Sequence, residues 1–165
     1  KGGPNMMFVR LRRGVGGAVL LGDVPVFGEN HAGGEIGHIS LDPQGPPCAC
    51  GKRGCLERLV SATSLHARLQ RSDERMRASI LREAGTYLGT ALSMPVGLLD
   101  LADVCVYGQN DIVNDTLLSA SQAQLDLLTG SSFHTRTIIR RCECEGEITL
   151  RGEALSVLHD YLENR

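Results

Sequence analysis

The segment 33–59, GGEIGHISLDPQGPPCACGKRGCLERL, constrains this chain more than any other. It sets one histidine, three cysteines and two glutamates in a run studded with Gly and Pro. Such a backbone loses much entropy on folding and offers little side-chain bulk to pack in return. Something beyond ordinary packing has to order it. His38, Cys48, Cys50 and Cys55 supply a candidate, spaced H-x9-C-x-C-x4-C. A Cys3His set is a standard tetrahedral structural site for zinc. Pro46, Pro47 and Gly51 permit the tight loop that Cys48-x-Cys50 needs, and Gly54 lets the chain turn back to deliver Cys55. Metal binding would then contribute folding free energy to a loop that has little of its own. The alternative is small buried thiols beside a surface histidine. A Cys48–Cys50 disulfide is disfavoured by strain.

Two carboxylates flank the ligand set. Glu35 lies three residues before His38, and Glu57 two residues after Cys55. If an ion pins residues 38 and 55, both carboxylates are carried on one rigid node. Carboxylates accept directed hydrogen bonds, so a cluster of them suits recognition of several hydroxyls. A metal-bound His38 would keep its second ring N–H free to donate outward to the same ligand. Glu57 also has a plainer reading, as a negative charge in the first turn of a helix, where the macrodipole favours it.

Composition bounds the rest. A chain of 165 residues makes one or at most two small domains. Hydrophobic content of 42% supports a core, and with no tryptophan it must be built from Leu, Val, Ile, Ala and Met. The net charge of −2 gives no electrostatic case for nucleic-acid binding by this chain itself. Arg10, Arg12, Arg13, Arg75, Arg77, Arg140 and Arg141 are scattered. Apolar runs are too short to span a bilayer. The start carries no charged-then-apolar leader, so a cytoplasmic location is expected, where six cysteines argue for metal or structural thiols over disulfides. The chain opens at Lys1 almost directly on a strand-like run, and the expectation is a fragment.

Along the chain, Met6–Leu11 reads as a strand, 12–17 as a glycine turn, Ala18–Leu21 as a second strand, Gly22-Asp23 as a hairpin turn and Val24–Phe27 as a third strand. A short strand is expected at Ile39–Leu41. Leu56, Leu59, Val60, Leu65 and Leu69 recur at helical spacing, with Ser61 and Ser64 offering helix-start oxygens around a break. Residues 71–78 read as a charged connection. Ile80 to Leu92 carries an amphipathic face, and Pro95 is expected to kink or interrupt that helix before 96–99. Val104–Tyr107 reads as a buried strand with Cys105 in the core. Leu117–Leu128 reads as a helix, Thr137–Ile139 as a strand and Leu150–Leu162 as a closing helix. The order describes a mixed α/β chain. Cys142 and Cys144, near His134, read as strand thiols, with no convincing fourth ligand for a second metal.

Gly34-Glu35-Ile36-Gly37-His38, then Asp42-Pro43-x-Gly45, then Cys48-x-Cys50-Gly51-x-x-Gly54-Cys55-Leu56-Glu57, resembles the signature of the ROK family, which comprises repressors, open reading frames and sugar kinases. The glycine-bearing strand pair before it, the helix and strand 81–108 and the closing 150–162 are also similar. The resemblance implies an actin-like, ribonuclease-H-like α/β lobe, here residues 1–165 as a C-terminal lobe, with a mixed sheet flanked by helices and a zinc-bound loop. It implies zinc on His38, Cys48, Cys50 and Cys55, and sugar hydroxyls on Glu35, His38 and Glu57. Regulators of the family bind operator DNA through an amino-terminal head, which is expected to lie outside residues 1–165. Kinases use ATP and Mg²⁺ with a catalytic aspartate in a first lobe, expected upstream of residue 1. Gly14 and Gly16 are weak phosphate-loop candidates, since Arg13 stands where the kinases typically carry a threonine. Gly108-Gln109 stands where they usually have paired glycines. The expectation is therefore the sugar-sensing region of a transcriptional regulator, binding a monosaccharide or derivative and forming a homo-oligomer. The alternatives are a sugar kinase and a zinc-stabilised interaction domain with a decayed sugar site.

Overall fold

The structure is a computed structural model that describes residues 3–30, 32–131, 133 and 135–143. Among the described residues the strands and α-helices are, in order, β1 (Met6–Leu11), β2 (Val15–Leu21), β3 (Val24–Pro25), α1 (Leu56–Val60), α2 (Ala62–Leu69), α3 (Glu74–Leu99), β4 (Asp103–Gly108), α4 (Asp115–Thr129) and β5 (Ile138–Arg141). They form a five-stranded sheet in the order β3-β2-β1-β4-β5. β2 is antiparallel to β1 and to β3, whereas β1–β4 and β4–β5 are parallel. This is the mixed sheet with helices that the order of elements implied. The expected closing helix 150–162, with Cys144 and His134, lies outside the described residues.

The meander forms for local reasons. Gly22 and Asp23 both take positive φ, the conformation a two-residue hairpin demands, and Asn5 Oδ1 accepts from the Gly22 N–H. β2 begins at Val15, three residues earlier than the glycines suggest, because Gly16 and Gly17 pair with Arg10 and Val9 of β1. β3 is correspondingly short. Residues 39–41 make a single bridge, Ser40 with Cys55, in place of a strand.

Ser61 separates α1 from α2. Its extended backbone ends the first helix, and its hydroxyl accepts from the Ser64 N–H to start the second. α3 begins at Glu74, inside the stretch expected to be a connection. Asp73 caps it by accepting from the Met76 N–H, which turns the charged run into a first turn. The helix also continues through Pro95 to Leu99. Proline removes one hydrogen bond, and packing of Leu88, Leu92 and Val96 into the core holds the helix on both sides of that gap. Burying a leucine side chain fully contributes about 1.5–3 kcal/mol.

Met7, Val9 and Leu11 of β1, Val104 and Val106 of β4 and the inward residues of α1 to α4 make one core. α3 and α4 approach closely because Gly85 and Gly89 lie against Leu117 and Ser121. A Cβ on Gly85 would stand 2.4 Å from the Leu117 carbonyl oxygen, and one on Gly89 2.5 Å from that of Ser121. The edge strand β5 is pinned by one amide side chain. Gln122 Oε1 accepts from the Ile139 N–H at 2.7 Å, and its Nε2 donates to the Thr137 carbonyl at 2.9 Å. Arg140 adds a two-pronged pair with Asp103 of β4. Cys105 is buried, as its strand position implied. Among the described residues no helix is long and apolar enough to cross a membrane.

Candidate metal centre and sugar site

β2 is the platform for the 33–59 segment. The Gly17 N–H donates to the Gly34 carbonyl at 2.7 Å, and the chain passes so close there that a Cβ on Gly34 would lie 1.9 Å from the Gly17 oxygen. Gly34 also sits at φ +95°, so glycine is required twice over. A single 3₁₀ turn, Ile36–His38, follows, with Glu35 at its start. In a 3₁₀ turn residues i and i+3 eclipse, which brings Glu35 beside His38.

The loop 39–55 then folds back on itself. The Leu41 N–H donates to the Gly54 carbonyl, the Leu56 N–H to Ile39, and the Cys48 N–H to Lys52. Gly54 is the close point: a Cβ there would meet the Asp42 oxygen at 1.7 Å. Leu56, fully buried, anchors the far end in the core, and Cys55, with extended backbone, immediately precedes α1.

The four ligand atoms of His38, Cys48, Cys50 and Cys55 all lie within 4.8 Å of one another. Cys48 Sγ is 3.6 Å from His38 Nδ1, and Cys50 Sγ is 3.5 Å from Cys55 Sγ. A tetrahedral ion with metal–sulfur bonds of about 2.3 Å and a metal–nitrogen bond of about 2.0 Å would set such atoms about 3.5–3.8 Å apart. The set is therefore able to hold a metal, and the spacing fits a four-coordinate one. Cys48 and Cys55 are buried and Cys50 is exposed. The Cys50 thiol is lowered to about 7, first by the Lys52 backbone hydrogen bond, then by the neighbouring thiols and His38. Burial pushes Cys55 up to about 12, reinforced by the adjacent thiols. Three thiols this close repel as anions, and a divalent cation is the chemical remedy.

The second ring nitrogen of His38 faces the other way. Nε2 lies 3.9 Å from Glu35 Oε2, and the Glu35 side chain is 69% exposed. Glu57 points at the β1–β2 turn: its Oε2 accepts from the Val15 N–H at 3.2 Å. Glu57 thus joins the two glycine-rich segments, a contact between residues 42 apart that nothing in their local patterns announces. Val15 donates to Glu57, Gly17 to Gly34, and the Arg12 N–H to the Gly14 carbonyl. Arg12 lies over the Tyr107 ring at 5.4 Å. Cys142 follows β5, and the described residues give it no place among the four ligands.

A mixed five-stranded sheet with parallel crossovers and a Cys3His cluster on a loop that packs against β2 defines the class, and comparison with known proteins gives the family. The ROK family model matches residues 1–93. The chain belongs to the ROK family. The N-acetylmannosamine kinase of Yersinia pestis (strain Pestoides F) is 44% identical over 63 residues, 38% of this chain and 22% of that protein. The chain thus spans about a fifth of the length of the curated relatives it matches. A ROK hexokinase from Thermus thermophilus superposes with a TM-score of 0.73 at 28% identity, over 92% of this chain and 58% of that one. A ROK family transcriptional regulator, a homologue of the E. coli MLC protein, superposes with a TM-score of 0.74 over 84% and 42%. At 21% identity this last likeness is one of fold.

Proposed function

We propose that this chain forms the sugar-binding lobe of a ROK-type transcriptional regulator. In this reading His38, Cys48, Cys50 and Cys55 hold a structural zinc ion. Glu35, His38 and Glu57 present acceptors and one N–H donor to the hydroxyls of a monosaccharide or sugar derivative. The observation that carries it is the opposed use of the His38 ring, with Nδ1 among the thiols and Nε2 toward Glu35. Fixing one nitrogen orients the other, so a metal knuckle becomes a means of aiming a sugar contact. Operator DNA would be bound by a segment outside this chain. Sugar would act by favouring one arrangement of the DNA-binding heads in a homo-oligomer over another.

The β1–β2 turn supports a regulator over a kinase. A phosphate cradle needs free backbone N–H groups, and those of Arg12 and Val15, at the two ends of this turn, are donated to the Gly14 carbonyl and to Glu57. The Glu57 carboxylate also brings negative charge to the turn that a phosphate would approach. A sugar kinase remains the second reading, favoured by the identity to the N-acetylmannosamine kinase and the hexokinase. Calorimetry of the full-length protein against a panel of monosaccharides, paired with an assay of ATP turnover on each, decides between them. Sugar binding without turnover supports the regulator, and sustained phosphorylation of a sugar replaces it with the kinase.

A further inference from the structure

We infer that Gly14 is a positioning residue for the sugar site, its missing side chain being the seat of the Glu57 carboxylate. This rests on the proposal that Glu57 contacts sugar, and adds to it a residue on a different segment. A Cβ placed on Gly14 would stand 2.8 Å from Glu57 Oε2 and 3.8 Å from its carboxyl carbon, with no other heavy atom of the described residues within 4 Å apart from its own chain neighbours. The backbone at Gly14 does not have positive φ, so its conformation is open to any residue. What glycine supplies there is space, and among the described residues the group that uses the space is one carboxylate.

The seat has a second contact. Glu57 Oε2 accepts from the N–H of Val15, the residue next to Gly14. Gly14 clears the approach and Val15 holds the oxygen, while the second carboxylate oxygen remains to accept from a ligand hydroxyl. A methyl group at position 14 would push the carboxylate off Val15. The cost to folding is small, because the displaced group is the end of a flexible chain. The cost to binding is the loss of a fixed, charged acceptor. Gly16 provides the contrast: a Cβ there meets nothing within 4 Å. A turn kept glycine-rich for phosphate would suffer comparably at either position, whereas a turn that seats Glu57 suffers only at position 14.

The test uses the full-length, zinc-loaded protein with Gly14→Ala, Gly16→Ala, Glu57→Ala and the double variant Gly14→Ala/Glu57→Ala. Amide hydrogen exchange and the NMR resonance of Val15 report the seat directly and need no sugar. Gly14→Ala should speed Val15 exchange to the rate seen in Glu57→Ala, the double variant should go no further, and Gly16→Ala should keep the wild-type rate. In calorimetry with the monosaccharide that the wild type binds, Gly14→Ala should weaken binding about tenfold or more, the loss expected for one charge-assisted hydrogen bond, with zinc content unchanged. Wild-type Val15 exchange in Gly14→Ala overturns the inference, as does equal weakening by Gly16→Ala. Should the wild type bind no sugar in the panel, the functional reading fails, and the Val15 exchange rates still decide whether Gly14 seats Glu57.

Discussion

His38 Nε2 lies 3.9 Å from Glu35 Oε2 while the opposite ring nitrogen sits among the cysteines. The pair spans one 3₁₀ turn, so ordering the imidazole also orders the carboxylate's neighbour. Separating the two roles is straightforward, because Glu35 is no ligand of the metal cluster. Glu35→Ala should abolish measurable sugar binding and leave zinc content at the wild-type level. Calorimetry and metal analysis on the same preparation check this, and retained sugar affinity would remove Glu35 from the site.

Metal analysis of protein purified without chelators should find close to one zinc per chain. Cys50→Ala should lower that content and the melting temperature together, since ion binding is folding free energy for this loop. Chelation of the wild type should reproduce the loss of stability. Proteolysis within residues 39–55 is the local readout, and a loop equally resistant with and without the ion would contradict it.

Two glycines of α3 should respond oppositely to alanine. At Gly85 a Cβ would meet the Leu117 oxygen at 2.4 Å, so overpacking of the α3–α4 contact should cost about 1–3 kcal/mol. At Gly97 a Cβ meets nothing within 4 Å, and the gain in helix propensity should stabilise by up to about 1 kcal/mol. Urea unfolding monitored by circular dichroism measures both.

Acid should act partly through Asp126. Arg136, hydrogen-bonded to it, holds the Asp126 carboxyl below the usual carboxylate range, with Gln122 assisting. A depressed folded-state pKa contributes stability that is complete above the unfolded value of about 3.9 and is lost as pH falls through the folded one. Asp126→Asn should therefore flatten the stability profile below about pH 4, where that carboxyl titrates. Near neutrality it should cost no more than about 1 kcal/mol, because the pair is solvent-exposed. Thermal melts across an acid series give the comparison.

What could be read along the chain were features fixed by neighbours in sequence. The hairpin at Gly22-Asp23, the break at Ser61 and the four ligands within one folded loop depend on turn chemistry and caps that span a few residues. Elements that depended on distant partners were read less well. The Asp73 cap and core packing on both sides of Pro95 made one 26-residue helix out of a connection, a helix and an expected kink. The strand 24–27 shrank to Val24 and Pro25, paired with Leu21 and Leu20 of β2, with one further bond from the Val26 N–H to the Val19 carbonyl.

The sequence by itself determined that a Cys3His cluster would form beside two carboxylates, because glycines, prolines and ligands share one short segment whose closure costs little loop entropy. Tertiary structure alone decided where Glu57 points. Glu57 reaches the amide of Val15 and the bare α-carbon of Gly14 only after α1 has docked against β2, and Gln122 finds the edge of β5 only after α4 has packed. Contacts of that kind follow from the register of packed elements, which no local run of residues encodes.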